Sequence, residues 1–479
     1  MAVTGADQPR AGAVQQVLAD NYLDFSGGWA QQYLPDLMEK EAEVFGKRTI
    51  SGFLSQVGAE EAMAADQVVW SEQGRLHLSY KGKVDTATAS TIEIEDDIDG
   101  KDVGTDHGVR VGDTIIVASA TLTKKCYVSA IDVNSAGAQQ TTRTGIITAI
   151  PYGGAHLSNL SFGDDNPVTI MVYGSEYSKG TEGRAGANKP SFTRFTNKPI
   201  ILKDKYEISG SDASQIGWVE VSGEEGQNGY LWYLKASGDT KSRFSDYCEM
   251  SLVEAEKAAD ASTILGGAND LVGTEGLFAA LEARGNTSTG ISGVNAATDL
   301  AEFDALLAEF DKQGAIEENM MFINRATALA MDDMLASMNS YGAGGTSYGV
   351  FDNDEDMALN LGFSGFRRGS YDFYKSDWKY LNDLATRGGI NARNVAGAIR
   401  GVVVPAGVSS VYDENLGKNL KRPFLHVRYR ASQTESRKMK TWTTGSVGAV
   451  TSDLDAMEMH FLSERCLVVQ GANNFCLLN

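Results

Sequence analysis

The chain has few of the residues that catalytic and metal sites are usually built from. It carries five histidines in 479 residues, His77, His107, His156, His426 and His460. No two of them are three or four apart, which excludes a helical HExxH metal site. The four cysteines, Cys126, Cys248, Cys466 and Cys476, are scattered without a CxxC pair. That argues against a disulfide framework or a zinc knuckle, and for a reducing compartment. Neither a GxSxG elbow nor a GxxxxGK[ST] phosphate loop is present. No apolar run reaches the roughly 18 residues of a membrane span. The opening MAVTGADQPRAGAVQQ lacks the basic flank and apolar core of a secretory signal and reads as a terminal arm.

Positive charge is also scarce. The formal net charge of −21 speaks against a nucleic-acid module acting through a general positive field. The imbalance is uneven, however. Between Ser364 and Lys440 there are 15 Lys and Arg against 6 Asp and Glu, so this segment carries +9 and the remainder −30. Such polarity leads us to expect the basic segment to meet an acidic part of a neighbouring copy.

At this length two or three domains are expected, in an α+β arrangement. Leu34 to Phe45 reads as a helix with Pro35 in its first turn, and Thr49 to Ala65 as a second helical patch. Gln67 to Glu72 and Arg75 to Tyr80 turn extended. From Lys81 to Arg184 no helical period appears. Short strand candidates, Ser90 to Ile94, Thr114 to Ala118, Cys126 to Val133, Thr144 to Ile150 and Val168 to Tyr173, are separated by turn signals such as Asp99-Gly100 and Gly112-Asp113. This predicts a small all-β domain inserted into a longer β-loop. Ser237 to Asp260 places Phe244, Tyr247, Cys248, Leu252 and Ala255 at helical spacing, with Asp239 or Thr240 as the cap. Thr298 to Gln313 is the clearest amphipathic helix, and Glu317 to Tyr341 continues helical, its methionines filling the core. Gly342 to Thr346 is a connector. Ala398 to Pro405, Phe424 to Tyr429, Ala456 to Phe461 and Cys466 to Gln470 read as strands.

Candidate sites are few. In EDDIDGKDVGTD, Glu95, Asp97 and Asp99 alternate, Gly100 allows a turn, and Asp106 falls where a last calcium ligand would sit. The first and last positions have the wrong acid, so an exposed acidic turn is the better reading; Asp352, Asp354 and Asp356 repeat the alternation without the glycine. GGANDLVGTEG, with Gly266, Gly267, Gly273 and Gly276, does not match GxGxxG and reads as a loop rather than a phosphate cradle. Arg367 and Arg368, followed by Tyr371, Phe373, Tyr374 and Trp378, mix cations with aromatics, as single-strand nucleic-acid sites and protein interfaces both do. A subunit interface involving Trp70, Arg367, Arg368, Tyr371, Tyr374 and Trp378 is favoured.

Several motifs in order carry a family resemblance. The extended KPIILKDKYEISGSD (Lys198 to Asp212) feeds the amphipathic SGDTKSRFSDYCEMSLVEAEKAAD. MFINRATALAMDDM (Met321 to Met334) and the ending DLDAMEMHFLSERCLVVQGANNFCLL (Asp453 to Leu478) follow. Together these resemble the elongated loop, spine helix, axial domain and closing peripheral strands of tailed-bacteriophage major capsid proteins of the Hong Kong 97-type fold, with crAss-like phages a conceivable lineage. The resemblance implies an N-terminal arm over residues 1–65 and an extended β-loop over 66–80 and 185–236. It implies an inserted all-β domain over 81–184, a spine helix over 237–262, an axial domain over 263–421 and a peripheral part over 422–479. It implies no catalysis, no cofactor and no membrane. It implies instead hexamers and pentamers of the chain, a separate scaffolding protein, a portal, decoration proteins, and packaged double-stranded DNA met only non-specifically. The location implied is the virion, after assembly in the host bacterial cytoplasm. From another class, a surface or secreted carbohydrate-binding β protein competes, against the missing signal and the unclustered aromatics of residues 81–184; a hydrolase with an unrecognised site is a third reading.

Overall fold

The computed structural model describes residues 52–54, 59–73, 77, 79–98, 100, 102–103, 107–134, 144–184, 192–214, 231–258, 271–289, 296–339, 365–391, 398–406, 408–413, 418–448 and 450–479. The expected helix at Leu34 to Phe45, the Gly342 to Thr346 connector and the second acidic alternation lie outside them. The chain forms two compact units, residues 71–195 and a body made of residues 1–70 and 196–479.

Strand β1 (Ala59–Met63) belongs to the body, and β2 (Val68–Gln73) leads out of it. Within the smaller unit, β3 (Ser79–Thr86), β4 (Thr91–Asp97), β5 (Asp113–Ala118), β6 (Thr123–Asn134), β7 (Thr144–Pro151) and β8 (Pro167–Ser175) close into a barrel in the order β3-β4-β7-β6-β5-β8. Alternation fills its interior, since side chains two apart on a strand share a face. Val84, Ile92, Ile94, Ile115, Val117, Val128, Ile147 and Ile170 are all buried there. The chain returns through β9 (Phe192–Asn197), which pairs with β2.

Among its described residues the body holds a five-stranded sheet, a six-stranded sheet and one two-stranded pair. In chain order its elements are β10 (Ile200–Ser209), helix α1 (Leu231–Glu254), α2 (Leu277–Arg284), β11 (Asn286–Ser288), α3 (Ala296–Gln313), β12 (Glu318–Ile323) and α4 (Arg325–Asn339). Next come β13 (Gly365–Arg368), β14 (Tyr371–Asp377), β15 (Gly401–Pro405), β16 (Val408–Asp413) and β17 (Lys418–Pro423). The chain ends with β18 (Leu425–Arg430), β19 (Lys440–Gly445), β20 (Ala456–Val469) and β21 (Cys476–Leu478). One sheet runs β1-β18-β20-β10, with β19 also on β20; the other runs β11-β21-β15-β12-β14-β13.

β15 reads GVVVP and is buried along its whole length. Val402 and Val404 enter one core with Leu252, Phe278, Leu467 and Leu477. Val403 enters another with Phe303 and Phe310 of α3 and Met331 of α4. A strand covered on both faces carries a continuous apolar run rather than an alternating one.

Several expectations are corrected. Thr49 to Ala65 is not a helix through Ala59–Met63, which pairs in parallel with β18. Glu317 to Tyr341 is not continuously helical: Glu318–Ile323 is a strand between β14 and β15, and α4 begins at Arg325. Ala456–Val469 is one 14-residue strand rather than two short ones.

Candidate functional site

α1 is the element around which the body is organised. It starts at Leu231 and ends at Glu254, so Asp239 and Thr240 lie inside it rather than capping it. The Thr240 hydroxyl donates to the Ala236 carbonyl at 2.9 Å, the back-bond that lets a threonine sit in mid-helix. Phe244, Cys248 and Leu252 recur every fourth residue and form one buried stripe. Phe244 and Cys248 meet Phe461 of β20, flanked by Leu202, Tyr206 and Met459, with ring centroids of Phe244 and Phe461 6.0 Å apart. Leu252 is fully buried in the larger core. Tyr247, expected on the same stripe, is 47% exposed because it sits 100° around the helix from Cys248.

Glu249 of α1 is a structural acid. Its carboxylate accepts the backbone N–H of Gly52 at 2.7 Å, of Phe53 at 2.8 Å and of Leu54 at 3.4 Å. This anchors the turn that places Phe53 on Trp378, with ring centroids 4.4 Å apart. Burial pushes the Glu249 carboxyl above its ordinary range, opposed by the three N–H donors. Nothing in the sequence around Glu249 signals this role, since the partners lie about 200 positions away.

Half of the expected interface residues, Trp70, Tyr371 and Trp378, are core residues. Trp378 is 4% exposed and packs among Phe53, Phe278, Phe322 and Tyr380. Tyr371 is 5% exposed, lies against Phe310 and donates its hydroxyl to Asp311 at 2.8 Å. Burial and that carboxylate push its phenol up to about 12. Trp70 is buried beneath the Arg284 guanidinium, 5.8 Å from the ring centroid. Arg368 forks onto Asp304 of α3, with Nη2 to Oδ2 at 2.6 Å. Only Arg367 and Tyr374 of the group stay open, on the outer side of the β13–β14 edge, where Arg367 faces Asp372 and Tyr374 faces Gly365. Strand alternation explains the division: Tyr371 and Phe373 point to α3, and Tyr374 points away.

The basic segment is likewise satisfied largely within the chain. Lys375 pairs with Asp332, Arg387 with Glu254 at 2.6 Å, and Arg428 with Glu61 at 2.6 Å. Arg437 pairs with Glu464 at 2.6 Å, Arg430 with Asp66 and Lys438 with Glu60. These acids lie outside Ser364 to Lys440, so part of the polarity of the sequence is balanced within the subunit.

Of the calcium candidate, Glu95 is ion-paired with Lys83 at 3.3 Å and Asp97 lies in β4, while Asp99 and Asp106 are outside the described residues. Among the described residues no cluster of three metal-binding side chains occurs. Gly273 and Gly276 serve close chain approach. A Cβ at Gly273, where φ is +65°, would lie 2.3 Å from the Glu256 carbonyl oxygen. The Gly276 N–H donates to Ala255 at 2.8 Å as the chain doubles back on the end of α1. All four cysteines are free and buried; burial holds Cys126, Cys466 and Cys476 up at about 12. No described helix is long and apolar enough to cross a membrane.

No family model and no curated protein matches this chain. Among solved structures it is similar to one from Microbacterium phage Oxtober96, at 9% identity and TM-score 0.37, over 92% of this chain and 95% of that one. It is similar to a capsid of a native GTA particle at 10% identity and TM-score 0.36, over 95% and 97%. It is also similar to a capsid structure of the cyanophage P-SCSP1u at 11% identity and TM-score 0.34, over 64% and 79%.

Proposed function

We propose that the chain is the major capsid protein of a tailed phage, with a Hong Kong 97-type body that builds hexamers and pentamers of an icosahedral head around double-stranded DNA. The observation that carries this reading is α1 laid across the sheet of β10 and β20, Phe244 and Cys248 seated on Phe461. The long strand β10 precedes it, and the closing strands β20 and β21 complete both sheets. The succession of long strand, long helix and closing strands is the one that the sequence resemblance implies.

The work of such a subunit is geometric. Obligate assemblies bury roughly 2,000–5,000 Å² at an interface. The open β13–β14 edge, with Arg367 and Tyr374, is offered as one docking surface. A separate scaffolding protein, a portal and decoration proteins are the further partners. Packaged DNA is met without specific contacts, because a net charge of −21 does not favour the phosphate backbone. Size-exclusion chromatography of the full chain tests the reading. Rings of five or six copies, or larger shells, are expected; elution at 51.4 kDa at every concentration would overturn it.

A further inference from the structure

Two short stretches, residues 52–54 and β1, are attached to different parts of the body with four positions between them. The first is held by α1, whose Glu249 carboxylate accepts all three backbone N–H groups. It sets Phe53 edge-to-face with Phe322 of β12, ring centroids 4.6 Å apart, and Leu54 in the same core. The second lies in parallel on the edge of β18. Since β12 and β18 belong to the two different large sheets, the two stretches tie the edge of one sheet to the face of the other. The hold at each end is unlike the rest of the body. Of these eight residues, Phe53 and Leu54 are buried and none of β1 is. AEEAM is a poor strand former, so its place depends on the partner it finds. Glu61 pairs with Arg428 at 2.6 Å and Glu60 with Lys438, and the Met63 carbonyl accepts the Ala431 N–H at 2.9 Å. Partly exposed ion pairs of this kind stabilise little each. At the other end, burial opposes the charge of Glu249 that its three donors favour.

We propose that residues 52–54 and β1 are a strap that opens and closes as one unit, coupling the two sheets when closed and freeing them when open. A segment with so little buried apolar surface opens well below the free energy of global unfolding. The five steps from Leu54 to Ala59 span at most about 17 Å. Each docked end therefore holds the other at high effective concentration, and the two are released together. The β10–β20 and β12–β15 pairings involve none of these contacts and persist through the opening. An open strap leaves bare the edge of β18 and the seat of Phe53 between Phe322 and Trp378. The device works within a single subunit and so stands whatever the chain assembles into.

Hydrogen exchange of the full chain, read by mass spectrometry, tests this. In the unaltered protein the hydrogen-bonded amides of residues 52–54 and 59–63 are expected to share one level of protection, at least about tenfold below that of β10 and β20. Glu249→Ala is expected to speed exchange at the far end, residues 59–63, at least about tenfold. Glu60→Gln with Glu61→Gln leaves the backbone of β1 untouched and is expected to speed exchange at residues 52–54 about threefold. A response confined to the substituted end would show two independent contacts and overturn the strap. Protection at residues 52–54 and 59–63 equal to that of β20 in the unaltered protein would overturn it too, because the segment then leaves only when the whole body unfolds. That second outcome is read without either variant.

Discussion

The barrel and the body both bury apolar surface, but with opposite reach along the chain. The barrel's strands all fall between Ser79 and Ser175, and β3–β4, β5–β6 and β6–β7 are pairs of consecutive strands. In the body, Ile200 pairs with Arg465 and Ala59 with His426. One unit is specified by neighbours in sequence; the other waits for its last strands. Local pairing closes small loops early, whereas β10 and β20 gain their contacts only after a long stretch of chain has been ordered. The contrast teaches that the barrel is a separable piece and that the body depends on its final segment.

The largest effect should come from breaking that dependence. Removing Ala456–Asn479 takes away the central strand of one sheet and β21 of the other. The body is expected to lose its cooperative melting while the barrel retains a transition by calorimetry. The reciprocal change, a short Gly/Ser linker in place of residues 81–184, is expected to leave the body soluble and folded. Insoluble protein from the second variant, or intact melting of the first, would erase the distinction.

Single core substitutions sharpen it. Leu252→Ala is expected to cost about 2–5 kcal/mol, from lost transfer energy and a residual cavity, and to lower the body's transition alone. Leu252→Asp should cost more, because it leaves a charge unpaired in an apolar site. Ile147→Ala should lower only the barrel's transition. Differential scanning calorimetry reads all three, and a shift of both transitions by any one of them would show that the units melt together.

Glu249→Ala comes next. Three backbone N–H groups lose their acceptor, and an unsatisfied buried donor costs about 1–3 kcal/mol. Since the folded carboxyl titrates above its ordinary 4.5, the native protein binds this proton more tightly than the unfolded chain does. Its contribution is greatest below pH 4.5 and falls as pH rises through the folded value. Urea midpoints should therefore show a larger penalty for Glu249→Ala in acid than at neutrality. A penalty that grows with pH would reverse the assignment.

The smallest effects belong to the exposed ion pairs. Arg368→Ala should cost less than about 1 kcal/mol. Because several cations of the basic segment find their acids within the subunit, assembly yield should change little when salt is raised from about 0.1 M, where exposed charges are already screened beyond roughly 10 Å. A steep loss of yield, measured by sedimentation, would return those cations to a partner copy.

What could be read from the sequence follows the same division. Strands β4 to β8 lie where period-two apolar residues and turn signals mark them, because neighbouring strands supply each other's context. Ala59–Met63, AEEAM, consists of helix formers and is drawn into a strand by β18, a tertiary partner overriding propensity. Met320 to Ile323 looked helical for lack of a visible sheet partner. The aromatics after Arg368 suggested an interface. Their alternation, with Tyr371 and Phe373 inward and Tyr374 outward, held the better answer. The role of the Glu249 carboxylate was illegible, since its N–H partners at Gly52, Phe53 and Leu54 lie about 200 positions away in the chain.

Electron microscopy of the purified full chain tests the central claim most directly. The account predicts closed shells or five- and six-membered rings built from this chain, disrupted by Leu252→Asp. Uniform single subunits, at concentrations where the protein is folded, would contradict it.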